Sequence, residues 1–564
     1  MTPPDDALFL GLDCSTQSMS AVVTDLHGVV VHECVLSFDK DFPAYGTTNG
    51  VLRHKDECDR DVVEIPSLLF VDALDAIFAQ LAASGAVDLA RVASVSGSAQ
   101  QHASVYWSSG FSLRERLDTA NPETPLVDVL KSGSTPPFYH ENGPSWMDNS
   151  TTAYCKMLED AAGGPLALYQ ISGSRAYERF TANQIAKRCN DTLSFLNKVG
   201  RIALVSSMLT SLLCGDYTPI DESDGSGMNL LDIRKREWAD ELVNAIADQA
   251  VPHPPGMTAR LRKVLGEEVA KPYHMIGELH PYFQKKFGFS PHCAVVPFSG
   301  DNPCTLAGTG LSGPDDVAIS LGTSSTLMSV VAPGTQADHN IDGHLFCNPI
   351  DPDNLMAMLC FQNGSLTRQH IRDRFANGSW ETFNEMLEST PPGNNGNTGF
   401  YFTDPEINPR VAKAGEVAYP GSSNRVIGWP FTGAVAVRAV VESQFVMMRV
   451  YAERLGIRNP KRLIVVGGAA VNTSLLQVLA DVFGAPVVRL GSSSTNSAAL
   501  GAALRAQHGL ACGSASEGKF VPFPSSESFE FTPAASPNAS AAKFFSDELG
   551  EFMDRMFRAE AALS

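Results

Sequence analysis

The chain has no run of lysine or arginine longer than three residues, no Cys-x-x-Cys pair and no apolar stretch approaching 18 residues, and each absence removes a class of function. Across 564 residues, 62 acidic side chains face 42 basic ones, a net charge of −20. Duplex nucleic acid and anionic membranes are therefore poor partners, because binding to either depends on concentrated positive charge. An anionic nucleotide stays compatible if it is held through Mg2+ and backbone amides rather than a basic patch. The eleven cysteines are odd in number and scattered from Cys14 to Cys512. That argues for reduced thiols, and against both a disulfide framework and a zinc site. The opening MTPPDDALFL lacks the basic and apolar regions of a secretory leader, so a cytoplasmic location is expected. Neither G-x-x-x-x-G-K-[ST] nor a G-x-G-x-x-G after a strand occurs. P-loop and dinucleotide-fold readings lose their support.

What is present is a phrase used twice. Residues 8–25 read LFLGLDCSTQSMSAVVTD and residues 317–331 read VAISLGTSSTLMSVV. Each is an apolar strand, a tight turn of small polar residues and a second apolar strand. Such a turn presents backbone N–H groups and hydroxyls in a concave anion site suited to phosphate. Two copies about 300 residues apart suggest a duplicated fold closing on one phosphate chain from both sides.

The length and the 44% hydrophobic content suit two large cores. Residues 8–36 read as two or three strands, followed by a helix with Leu69, Val71, Ala73, Leu74, Ile77 and Phe78 at helical spacing. Residues 92–107 give strand, polar turn, strand; 119–145, with five prolines, reads as an irregular surface loop. Residues 150–196 and 201–213 carry mainly helical patterns. A domain boundary is expected near 308–314, where Gly308, Gly310, Gly313 and Pro314 cluster. The division is then 1–308, 309–512, and a tail at 513–564. The second domain should hold a helix at 433–455 and a strand, turn and helix at 462–484. In the tail, a Ser, Ala and Pro-rich linker over 513–540 leads to an amphipathic helix with Phe545, Leu549, Phe552 and Met556 on one face, docking on the body.

Four constellations carry chemistry. Asp13 ends a buried strand beside the first polar turn, where it either holds Mg2+ or a metal-bound water or caps the turn. In Ser299-Gly300-Asp301-Asn302, Asp301 stands at a strand exit and a helix entrance. It can accept the proton of a sugar hydroxyl attacking a γ-phosphoryl group, or serve as an N-cap worth about 1 kcal/mol. Gly467 and Gly468 end a strand without side chains, so a flat ring or phosphate can approach the backbone, and Asn472 can reach a base or ribose edge. The alternative there is close helix–strand packing. Gln100-Gln101-His102 and Arg175 to Phe180 offer donors and acceptors for a sugar, although a lone His or Arg is more often structural.

Taken together, from about residue 8 to 510, the chain resembles the FGGY carbohydrate kinases. The resemblance rests on GSAQQHASVYW, WMDNSTTAYC, SGSRAYERFTANQIAK, PIDESDGSGMNLLDI, SGDNPCTLAG, ISLGTSSTL, GHLFCNPIDPD, GNNGNTGFYF and GGAAVNTSLLQVLADVFGAPV, met in order. It implies an α/β fold of two ribonuclease-H-like domains of the actin and hexokinase superfamily, with a ligand cleft between them. The segments are similar to those of the eukaryotic branch acting on D-xylulose. That implies ATP-dependent phosphorylation to D-xylulose 5-phosphate by a monomer or homodimer, with Mg2+ and ATP required. Asp301 falls at the position of the catalytic base, and His102, Arg179, Asp301 and Asn302 fall at sugar-contacting positions. Gly322, Thr323, Trp380, Gly467, Gly468, Ala469 and Asn472 fall at nucleotide positions, and Asp13, Ser15 and Thr16 at phosphate or metal positions. Trp146-Met147-Asp148-Asn149-Ser150 lacks the Arg that many bacterial members carry after the W-x-D element, so bacterial sugar contacts are not transferred to it. A kinase of ribulose or glycerol, or an actin-like binding protein without turnover, remains as an alternative.

Overall fold

The computed structural model of the chain describes residues 4–311, 313–314, 316–334, 342–408, 410–421, 425–491, 496–514, 520–524 and 529–563. The chain divides into two compact units. One comprises Met1–Gly310, Leu345–Pro352 and Ser492–Phe523, the other Leu311–His344, Asp353–Gly491 and Pro524–Ser564.

The first unit is built on a mixed sheet of β1 (Leu8–Cys14), β2 (Ser18–Thr24), β3 (Val30–Ser37), β4 (Val92–Ala99), β5 (Gly277–Glu278) and β6 (Ala294–Val295). Their order is β5-β6-β4-β1-β2-β3, and β7 (Ser299–Gly300) also pairs with β4. β1 runs antiparallel to β2 and parallel to β4, which sets Asp13 opposite Ser20 on one side and Ser98 on the other. Every residue of β1 is buried, and its nearly continuous apolar run is what a central strand covered on both faces requires. The Ser67–Ser84 helix packs on β2 and β3. It is long and apolar enough to cross a membrane, yet it is a core helix here, with Leu69, Phe70, Leu74, Ile77, Phe78 and Leu81 almost fully buried. Each such side chain contributes about 1.5–3 kcal/mol of hydrophobic stabilisation.

The Ser497–Ser514 helix also belongs to the first unit, where the sequence suggested the second domain. Its small residues explain the placement. A Cβ on Gly11 would lie 2.0 Å from the Ala499 carbonyl oxygen, and one on Gly501 would lie 1.8 Å from that of Cys304. Glycine at both points lets the helix lie directly on β1 and against the Asp301–Gly308 helix. Arg505 locks it there. Its guanidinium, 1% exposed, donates to the Pro272 and Pro297 carbonyls at 3.1 Å and sits 3.6 Å from Asp221.

Two further segments of this unit depart from expectation. The 119–145 stretch contains a helix, Leu126–Lys131, with Leu126 and Leu130 fully buried, and a short strand, Asn142–Pro144. Residues 199–204 form a strand that pairs with Ser104–Ser108 before the Val205–Cys214 helix begins.

The second unit repeats the plan. β8 (Asp316–Leu321), β9 (Ser325–Val331), β10 (Leu355–Phe361), β11 (Arg462–Val466), β12 (Val487–Leu490) and β13 (Phe531–Ala535) lie in the order β10-β9-β8-β11-β12-β13. Directions repeat as well. β8 is antiparallel to β9, β9 to β10, and β12 to β13, whereas β8–β11 and β11–β12 are parallel. The Gly433–Arg454 and Thr473–Phe483 helices pack together, and the terminal Ala539–Leu563 helix docks on both, burying Phe545, Phe552 and Met556. β13 falls in the stretch read as linker, part of which lies outside the described residues. It is an edge strand, where Pro533 is tolerated because only one side of the strand has to pair.

Candidate active site

In the first unit, the residues singled out from sequence gather at the ends of β1, β4 and β7. Asp13, 2% exposed, accepts from Ser15 Oγ at 2.5 Å, Ser98 Oγ at 2.8 Å and Asn496 Nδ2 at 3.0 Å. The acid is thus oriented by three donors, two of them outside its own turn, which is more than local capping. Thr16 Oγ1 accepts from Trp146 Nε1 at 2.8 Å. Asp148 is structural. Fully buried, it accepts from the backbone of Val63 and Ser150 and from Gln184 Nε2.

β7 delivers the chain to the Asp301–Gly308 helix. Gly300 is the cap and makes no side-chain cap bond, so Asp301 is the first helical residue rather than the N-cap. Its Oδ1 accepts from Asn302 N at 2.9 Å and Asn302 Nδ2 at 3.1 Å. Desolvation by burial, with the charge of Asp13 adding to it, pushes the Asp301 carboxyl up to about 7, against the pull of nearby backbone N–H groups. A carboxylate poised near neutrality is suited to take a proton.

His102 follows the end of β4 in a left-handed backbone conformation, φ 71°, a strain that side-chain-bearing residues accept mainly where position matters. Its ring stacks on Phe180 at 4.4 Å, and Nδ1 lies 2.8 Å from the Gly227 carbonyl oxygen. A carbonyl can only accept, so Nδ1 carries the proton and Nε2 presents a lone pair. Burial and the Arg179 charge hold the imidazole neutral by lowering its pKa to about 3. The Arg179 guanidinium lies over the Tyr177 ring at 4.7 Å. Arg175 is paired with Glu159 at 3.4 Å.

Gln101, one of the candidate sugar groups, and two residues not singled out, Ser206 and Asp224, complete this centre. Gln101 Oε1 accepts from Asn302 Nδ2 at 2.9 Å, and Ser206 Oγ donates to Asp224 Oδ2 at 2.5 Å. A Cβ on Gly300 would lie 2.4 Å from Gln101 Cγ and 2.8 Å from Asp224 Oδ1, so both side chains converge behind the base. The signal in the sequence was Asp221-Glu222-Ser223-Asp224, a run of acids beside Gly225 and Gly227 rather than in a lysine-rich surface.

In the second unit, the 322–324 turn meets two other segments. Ser365 N donates to the Gly322 carbonyl at 3.0 Å. Gly467, at φ 90°, brings its backbone against Leu321, where a Cβ would lie 3.0 Å from the carbonyl. Gly468 faces open space, with nothing within 4 Å of its Cβ direction. Thr323, Gly467 and Gly468 are exposed, and Ala469 is half-buried. Trp380 opens the Trp380–Glu388 helix with its ring 38% exposed, carrying the Arg372 guanidinium 4.7 Å away. Asn472 caps the Thr473–Phe483 helix, accepting from Leu475 N at 3.1 Å, and donates to Asn384 Oδ1 at 2.9 Å. Asn472 is thus a helix cap, which neither reading of the sequence offers, and Asn384 ties it to the helix that carries Trp380. A flat ring, bare backbone and an amide edge are brought together, as binding of a nucleotide base requires.

Among the described residues no group of three or more His, Cys, Asp or Glu side chains is gathered to hold a metal ion. The single acid Asp13 suits Mg2+ that arrives on nucleotide phosphates, since that ion keeps several waters and takes only one or two carboxylates.

Family models of the FGGY family of carbohydrate kinases match this chain, the N-terminal domain over residues 141–308 and the C-terminal domain over residues 317–510. The chain belongs to this family. It is 44% identical over 542 residues to xylulose kinase of Mus musculus, covering 95% of this chain and 91% of the mouse protein. It is 42% identical over 530 residues to xylulose kinase 2 of Arabidopsis thaliana, covering 92% and 90%. Among solved structures, it is similar to the ligand-bound xylulose kinase of Lactobacillus acidophilus, with a TM-score of 0.74, 17% identity and 99% of both chains covered. It is as similar to the gluconate kinase of that organism, with a TM-score of 0.75, 17% identity and 99% of both chains covered. The fold is that of the sugar kinases, and by itself it does not select the sugar.

Proposed function

We propose that this chain is an ATP-dependent kinase that converts D-xylulose to D-xylulose 5-phosphate, with Asp301 as general base. The observation that carries the chemical reading is Asp301 itself: a partly buried acid at a helix start, oriented by Asn302 and poised near neutral pH. Sequence identity of 42–44% to proteins named xylulose kinase supports the choice of sugar.

In this reading Asp301 accepts the proton of the terminal sugar hydroxyl as its oxygen attacks the γ-phosphorus. The bond from the γ-phosphorus to the bridging oxygen breaks, and ADP leaves with the electron pair. His102 Nε2 accepts from a sugar hydroxyl, Arg179 donates to sugar oxygens, and Asn302, whose Nδ2 is committed to Gln101 and Asp301, accepts from a sugar hydroxyl through its Oδ1. The catalytic gain comes from orientation and from charge neutralisation by dipoles fixed in advance. In the second unit, Trp380 offers its ring to the base, and Gly467, Gly468 and the 322–324 turn offer backbone to the phosphates. Asp13, with Ser15 and Thr16 beside it, would hold Mg2+, which would supply charge neutralisation at phosphate oxygens. In this reading the enzyme works in the cytoplasm, which its cysteines, held as thiols rather than disulfides, support.

ADP release measured against D-xylulose, ribulose, glycerol and gluconate tests the substrate directly. D-xylulose is expected to give the highest kcat/KM. Equal or better turnover of another acceptor rejects the assignment.

A further inference from the structure

A chain of polar contacts runs from the core of the first unit to the base, three of its four links being hydrogen bonds. Ser206 Oγ donates to Asp224 Oδ2 at 2.5 Å. Asp224 Oδ1 faces the amide of Gln101, which acts on it as a neighbouring donor, although the pair is not aligned as a full hydrogen bond. The other end of that amide, Gln101 Oε1, accepts from Asn302 Nδ2 at 2.9 Å, and the same Nδ2 donates to Asp301 Oδ1 at 3.1 Å. Asp224 and Gln101 are 1% and 3% exposed. Their facing atoms are closed to solvent, so neither is a direct sugar contact at that point. Gly300 leaves the space both occupy, since a Cβ there would lie 2.8 Å from both Gln101 Cδ and Asp224 Oδ1.

We propose that Asp224 is a positioning residue, which through Gln101 and Asn302 fixes the orientation of the Asp301 carboxylate. The proposal rests on Asp301 being the base. The logic is geometric: an amide has two different ends, and only a donor-seeking partner on one side turns the other end into an acceptor for Asn302. With Gln101 fixed, Asn302 has one rotamer that serves both Gln101 and Asp301. Burial pushes the Asp224 carboxyl up to about 8, and its neighbours Asp221 and Asp301 add to this. A carboxyl retained in such surroundings is expensive, which fits a role beyond packing.

The test is a double-mutant cycle on the full-length protein with Asp224→Asn, Gln101→Met and the combination, reading kcat, KM for D-xylulose, KM for ATP and the melting temperature. Each single variant is expected to lower kcat roughly 10- to 100-fold, the scale of a misplaced reacting group, with KM for ATP unchanged. The combination should be no worse than the poorer single variant within about twofold, because both break one chain. If Asp224→Asn does not fold, Gln101→Met carries the test, and an unchanged kcat in that variant overturns the proposal. Fold-losses that multiply in the combination also overturn it, as does a fall in melting temperature with kcat intact. Loss of turnover in Asp301→Ala together with unchanged kcat in the two variants rejects this inference alone. Wild-type turnover in Asp301→Ala rejects both it and the assignment of the base.

Discussion

The two units share one strand order and differ in what they place at the strand ends. β1 ends in Asp13-Cys14 and β8 in Ser320-Leu321, followed by Gly322; β4 leads to Gln100-Gln101-His102 and β11 to Gly467-Gly468. The first unit therefore presents carboxylates, amides and an imidazole, held by side-chain hydrogen bonds. The second presents backbone, hydroxyls and a half-exposed tryptophan. Even the hairpin turns differ, with residues 15–18 between the last paired positions of β1 and β2 but only 322–324 between those of β8 and β9. A duplicated topology supplies equivalent positions, and the side chains placed there divide the work, with proton transfer and sugar recognition proposed for one unit and nucleotide binding for the other.

That division is breakable by mutation, and the largest effect should come from the base. Asp301→Ala is expected to reduce turnover by roughly 10³-fold or more while nucleotide affinity, measured by calorimetry, stays within about twofold; parallel loss of both would dissolve the contrast. Gly300→Ala places a methyl 2.4 Å from Gln101 Cγ and should lower kcat by about 10²-fold through displacement of the base, with ATP binding untouched. A reciprocal pair sharpens the comparison at the level of binding. His102→Ala should raise the KM for sugar by about tenfold and leave that for ATP alone, whereas Trp380→Ala should do the reverse, each losing a contact of roughly 1.4 kcal/mol. The smallest effect is expected at Gly468→Ala, where nothing stands within 4 Å. Its melting temperature should stay at the wild-type value, while the KM for ATP rises about threefold because the added methyl enters space left for the nucleotide. Gly467→Ala, forced to φ 90° against Leu321, should lower the melting temperature measurably.

Much of this was legible in the sequence because the signals were local. The doubled hairpin, the strand–turn–helix entries at Asp301 and at 462–484, and the terminal amphipathic helix each follow from short-range pattern and turn chemistry. What was hidden depends on distant partners. The Ser497–Ser514 helix joins the first unit through Gly11 and Gly501, positions whose meaning appears only when the strand and helix touch. Leu126, Val129 and Leu130 carry a helical period, but the surrounding prolines outweighed it. Pro533 argued against a strand and is accommodated at a sheet edge. In the sequence Gln101 is only a candidate sugar contact, and its meeting with Asp224 depends on Gly300 and Asn302, which no spacing along the chain reveals.

The measurement closest to the central claim is the pH dependence of kcat/KM for D-xylulose, with nucleotide affinity followed over the same range. A general base must be ionised in the free enzyme, so activity is lost as pH falls through its pKa. Because burial and then Asp13 raise the Asp301 carboxyl to about 7, the acid limb should have its midpoint near 7, with nucleotide affinity flat across it. A limb at about 4, where an unperturbed carboxylate titrates, or a limb that follows nucleotide affinity, would contradict Asp301 as the residue that takes the proton.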